Sequence, residues 1–117
     1  KDSKQGESIM ILYIATPINA RKEATMKEKL RAAKHRVELL KDILREDERF
    51  RDYAFLRSTF DLPDQNKEDM ALAQCVREVL RSDAIYLDHG WQGSKGCNLE
   101  YRAAKIYGKT IYEHDDM

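Results

Sequence analysis

Long apolar runs are missing from this sequence of 117 residues, and so is any excess of charge of one sign. No stretch approaches the roughly 18 apolar residues of a membrane span, so a membrane-embedded chain is not expected. Cysteine is scarce. Cys75 and Cys97 form no CxxC pair and have no histidine at ligand spacing, which suggests neither a zinc site nor a disulfide framework and suits a reducing cytoplasm. Lys and Arg total 21, as do Asp and Glu, and no basic or acidic block stands out, so neither nucleic acid nor a membrane surface is an expected partner. Internal repeats and low-complexity tracts are absent too.

What is present fits one ordinary domain with one core. The polar start KDSKQGES (1–8) reads as a flexible leader, and residues 9–117 read as a single domain. The many charges interleave along stretches such as RKEATMKEKLRAAKHRVELLKDILREDERFRD, the pattern of a solvated helix face.

IMILYIA (9–15) is nearly all apolar and includes aromatic and β-branched members, which predicts a strand buried on both faces at the centre of a sheet. TPIN then supplies a turn. From about Arg21, Leu30, Ala33, Val37, Leu40 and Leu44 recur at helical spacing. YAFLRSTF (53–60) is a weaker strand. Asn66 and Asp69 resemble a capping pair for a helix whose face is traced by Leu72, Val76 and either Val79 or Leu80 and which stops near Ser82. DAIYLD (83–88) is a compact third strand, followed by the turn HGWQGSKG and a helix expected to pack through Leu99, Ala103 and Ile106. Gly108 is placed to end that helix, and TIYEH forms a last strand.

Strands alternating with helices imply a parallel sheet with helices on both faces. The expected fold is a small three-layer α/β sandwich, Rossmann-like or flavodoxin-like, with about four strands in the order 2-1-3-4. Such sheets bind ligands beyond the carboxyl ends of their strands, here Ala15 to Arg21 and Asp88 to Glu100.

In the second of these segments, Gly93 and Gly96 permit a sharp turn and close approach of a ligand, and Ser94 can cap the helix whose free N–H groups face outward. Glu100 lies about one turn inside, where the positive helix end favours an ionised carboxylate that can point back to the crevice. Two readings stay open on physical grounds: a carboxylate poised for chemistry, or a glutamate that only complements the helix dipole. The lone GxxG is weak, and no GxGxxG or GxxxxGK[ST] loop occurs.

Three features together, namely YIATPIN at the first strand, VLRSDAIYL before the third, and the Ser94, Gly96, Glu100 spacing within LDHGWQGSKGCNLEYRAAKIYGK, resemble the nucleoside 2-deoxyribosyltransferase superfamily. That superfamily includes the 2′-deoxynucleoside 5′-phosphate N-hydrolases and short uncharacterised bacterial and phage domains. The resemblance implies a nucleoside or nucleotide substrate, with Glu100 attacking C1′ of the sugar, Tyr13 orienting it and Ser94 contacting the sugar or its phosphate. It implies no metal and no cofactor. Thr16, Pro17, Ile18, Asn19, Trp91 and Gly96 are the further residues expected along the binding crevice.

One departure bears on the chemistry: the superfamily's acid–base aspartate aligns with Cys75. A thiol is a poor match to a carboxylic acid, and a cysteine on a sheet-facing helix also serves as a small apolar filler. Asp88 and His89 are alternative acid–base candidates, or turn residues. A second glycine expected near Asn98 is missing as well. Three functions follow: N-glycosidic hydrolysis or base transfer, a nucleotide-binding or sensing module without chemistry, and an assembly role. A homodimer or higher homo-oligomer is expected, with Trp91 and Tyr101 stacking on a base or lining an interface.

Overall fold

The computed structural model describes residues 9–17, 25–58 and 68–114. Four parallel strands, β1 (Met10–Ala15), β2 (Tyr53–Ser58), β3 (Ala84–Leu87) and β4 (Thr110–Glu113), form one sheet in the order β2-β1-β3-β4. The helices α1 (Met26–Arg45), α2 (Glu68–Arg81) and α3 (Lys95–Ile106) make the successive crossovers. The three-layer α/β arrangement expected from the sequence is thus the observed one, including the strand order.

Period-two alternation divides the core into two layers. Leu12 and Ile14 of β1 join Leu56, Ala84 and Tyr86 against Val37, Leu40 and Leu44 of α1. Tyr13 and Ala15 join Ile85 and Leu87 on the other face, against Val79 of α2 and Cys97, Ala103 and Ala104 of α3. Strands β1 and β3 pair from Leu12↔Ala84 to Ala15↔Leu87, and all four residues of β3 are buried. Buried on both faces, these two strands read as continuous apolar runs.

Local chemistry sets the helix ends. Thr25 and Glu28 form a reciprocal capping box: Thr25 Oγ1 accepts from the Glu28 N–H at 3.1 Å, and Glu28 Oε1 accepts from the Thr25 N–H at 2.8 Å. At the end of α2, Ser82 Oγ donates to the Glu78 carbonyl at 2.7 Å. Gly108, at φ 70°, ends α3 as expected, with the Lys109 N–H reaching the Ala104 carbonyl at 2.8 Å in a Schellman arrangement. The amino ends of β1 and β3 are clamped by Asp83, whose Oδ2 accepts from the Ile11 N–H at 2.7 Å while its own N–H donates to the Ile11 carbonyl at 2.9 Å.

Two packing expectations are corrected. Leu99 and Ile106 do not pack in the core; they are exposed, and the buried stripe of α3 is Cys97, Glu100, Ala103 and Ala104. Leu30, in line with the apolar stripe of α1 but nearer its start, is also exposed. The expected capping residue Asn66 and the leader 1–8 lie outside the described residues.

Candidate active site

Alternation along β1 turns Tyr13 away from α1 and beneath α3, where it is wholly buried. Glu100, in the second turn of α3, points onto the same spot and is only 5 % exposed. Tyr13 Oη donates a 2.6 Å hydrogen bond to Glu100 Oε2. The Cys75 thiol of α2 lies within hydrogen-bonding reach of Glu100 and beside the Tyr13 hydroxyl, so three elements converge on one carboxyl.

Burial dominates the electrostatics. It pushes the Glu100 carboxyl up to about 7, against the opposing effect of the hydrogen bonds from Tyr13 and Cys75. The Tyr13 phenol is raised well above its ordinary value, first by burial and then by the neighbouring Glu100 charge. Cys97, three residues before Glu100, is pushed up to about 12, again chiefly by burial. The expectation that the helix start keeps Glu100 ionised is therefore corrected: desolvation outweighs the helix dipole, and the carboxyl is balanced between its two forms near neutrality.

Asp88 approaches from the other layer. It follows β3 on the face of Tyr86, and Arg36 of α1 grips it with two parallel bonds, Nε to Oδ2 at 2.9 Å and Nη2 to Oδ1 at 2.8 Å. The His89 N–H also donates to Oδ1, at 2.7 Å. The carboxylate is 3 % exposed, and its ion pair holds the Arg36 guanidinium firmly charged. Asp88 thus joins α1 to the carboxyl end of β3. Nothing in the sequence distinguished Arg36 from the other basic residues of its helix.

The turn between β3 and α3 carries the remaining candidates. Its left-handed residue is Gly90, at φ 82°, rather than Gly93 or Gly96. A β-carbon at Gly90 would stand 3.9 Å from Pro17 Cγ, so the loops leaving β1 and β3 meet here. Ser94 is the N-cap of α3, its Oγ accepting from the Cys97 N–H at 3.2 Å, with Gly96 in the first turn behind it. Trp91 stacks on Tyr101 at 4.8 Å between centroids, and its Nε1 donates to Glu113 Oε1 at 3.3 Å. Thr16 Oγ1, just past β1, is buried and finds no hydrogen-bond partner among the described residues. Ile18 and Asn19 lie outside the described residues.

Among the described residues no group of three His, Cys, Asp or Glu side chains is arranged to hold a metal ion, and no helix is long and apolar enough to cross a membrane.

Fold and site together define a small parallel α/β domain with a buried carboxyl–phenol pair under its last helix. A family profile described as a domain of unknown function, DUF4406, matches residues 10–113, and the chain belongs to that family. Comparison with curated proteins gives no match.

Proposed function

We propose that this protein cleaves or exchanges the N-glycosidic bond of a nucleoside or nucleotide, with Glu100 as nucleophile. The observation that carries the reading is the 2.6 Å bond from Tyr13 to Glu100 in a desolvated site. A carboxylate withdrawn from water and fixed by a phenol stabilises a developing oxocarbenium ion far better than a solvated one. In the first step a Glu100 oxygen bonds to C1′ as the C1′–N bond breaks, and the electron pair leaves with the base, which takes a proton from water. Water or a second base then attacks C1′ and releases Glu100, water giving hydrolysis and a base giving transfer. Thr16 Oγ1, buried at the end of β1 and without a partner among the described residues, suits contact with a sugar hydroxyl.

A second reading, a nucleotide-binding or sensing module, draws on Cys75 and Asp88. The side chain beside Glu100 on α2 is a thiol, and Asp88 is held by Arg36 in the opposite layer. Protonation of the leaving base by a second carboxyl is therefore the step on which the two readings part. Self-association also belongs to the proposal; Leu99 and Ile106, seven residues apart and both exposed on α3, offer an apolar strip for it. Neither Cys75 nor Cys97 is in a disulfide, in keeping with a reducing cytoplasm.

The test is incubation with ribo- and deoxyribonucleosides and their 5′-monophosphates, with and without an added free base, followed by chromatography. Base release or exchange that disappears in Glu100→Gln is the expected result. Turnover that persists in that variant refutes the nucleophile assignment, and ligand-induced thermal stabilisation without turnover favours the binding module.

A further inference from the structure

The helix that presents Glu100 is tied to the turn before it by one side chain. Asn98, in the first turn of α3, directs its carboxamide nitrogen backwards at three main-chain carbonyls: Ser94 at 2.8 Å, Gln92 at 2.9 Å and Trp91 at the longer distance of 3.5 Å. Those carbonyls belong to the single 3₁₀ turn Trp91–Gly93 and to the N-cap, so the carboxamide closes the turn on itself. The turn is tied elsewhere as well: the Trp91 N–H donates to the Asp88 carbonyl at 3.2 Å, and the Trp91 ring meets Tyr101 and Glu113. Of these ties only Asn98 reaches the carbonyls of Trp91, Gln92 and Ser94 from the helix itself.

We infer that Asn98 is a positioning residue for Glu100, fixing the start of α3 so that the carboxyl two residues further on meets Tyr13. Its activity arm rests on the N-glycosidic reading above; its structural arm does not. A first-turn asparagine is a weak helix former, and replacing it by a better one would by propensity alone be neutral or favourable. The three bonds give Asn98 another task. A small displacement of a reacting group costs rate far more than it costs stability, because catalysis depends on near-attack geometry.

Two variants test this. Asn98→Ala removes the carboxamide; Asn98→Asp keeps the size and adds the favourable charge of a first-turn carboxylate but cannot donate to carbonyls, so it guards against simple loss of the helix. Trp91 is the chain's single tryptophan and reports the turn directly by its emission. The carboxyl carbon resonance of Glu100 reports its titration midpoint without any substrate. In both variants the Trp91 emission should shift to the red. In Asn98→Ala the Glu100 midpoint should move by about half a unit or more from its value near 7. With a nucleoside substrate, kcat for base release should fall about tenfold, with KM little changed.

Wild-type emission together with an unmoved Glu100 midpoint would overturn the inference. So would a red-shifted emission with unchanged midpoint and kcat, which would make Asn98 a tie for the turn alone. If the wild-type protein releases no base from any substrate, the N-glycosidic reading fails by itself, and the emission and the midpoint still decide the role of Asn98.

Discussion

Asp88 and Glu100 reach the carboxyl end of the sheet from opposite layers, Asp88 bound to Arg36 of α1 and Glu100 bound to Tyr13 beneath α3. The strand between them decides this: Ile85 and Leu87 face α3 while Ala84 and Tyr86 face α1, and Asp88 continues the second set. The two carboxyls therefore have separate partners, one paired with a guanidinium and the other held by a phenol.

Glu100→Gln keeps the size of the side chain and its acceptor for Tyr13 but removes the nucleophilic charge. Base release should fall about a thousandfold or more, as measured by chromatography of the products. Glu100→Ala is the poorer test, since at a buried position it opens a cavity and strips the Tyr13 hydroxyl of its acceptor.

Stability should depend on pH through the same residue. The folded Glu100 carboxyl, at about 7 against an ordinary 4.5, holds its proton where the unfolded chain has lost it, so its contribution is full below about pH 4.5 and is lost as pH rises through 7. The difference is on the order of 3 kcal/mol. Denaturant titrations at pH 5 and pH 8 should show this loss in the wild type and a much smaller one in Glu100→Gln.

Catalysis should run the other way. A nucleophile must be ionised, so kcat/KM should climb with pH to a plateau above the Glu100 midpoint near 7. Tyr13→Phe should move that midpoint upward, because the phenol's hydrogen bond lowers it, and should cut kcat about tenfold to a hundredfold. An initial-rate profile of the two proteins reads both effects.

Cys75→Asp places a second carboxyl beside Glu100. Two buried carboxyls in contact share one proton, which pushes the protonation of one well above the other. If the missing acid limits turnover, base release in this variant should rise about tenfold or more. An unchanged rate would assign proton delivery elsewhere.

Arg36→Met leaves the Asp88 carboxylate buried without its guanidinium. With Arg36 itself partly exposed, the loss should be about 2 kcal/mol, below the range for fully buried pairs, and the further change Asp88→Asn should restore part of it. Chemical denaturation of the single and double variants measures the coupling.

The fold was legible in the sequence because its two central strands are apolar on both faces and its helices carry one stripe each. The last helix shows where that legibility ends. Hydropathy places Leu99 and Ile106 inside and Glu100 outside, whereas the molecule buries the glutamate and leaves both aliphatic side chains in water. A polar side chain can occupy a core position once its hydrogen bonds are supplied from other elements, here Tyr13 and Cys75, and a single helix does not encode that. Cys75 lies beside Glu100; the Arg36 partnership of Asp88, formed across 52 residues of chain, left no local trace.

Strand β1 is the most apolar segment of the described chain, yet both strands that flank it come later, at Tyr53–Ser58 and Ala84–Leu87. During synthesis the ribosome must therefore deliver roughly seventy further residues before the second edge of β1 can be covered. Until then a sticky, unpaired strand is on offer to other nascent chains. The order of the strands thus leaves one edge of β1 without its partner for longer than the other, since β2 precedes β3 in the chain.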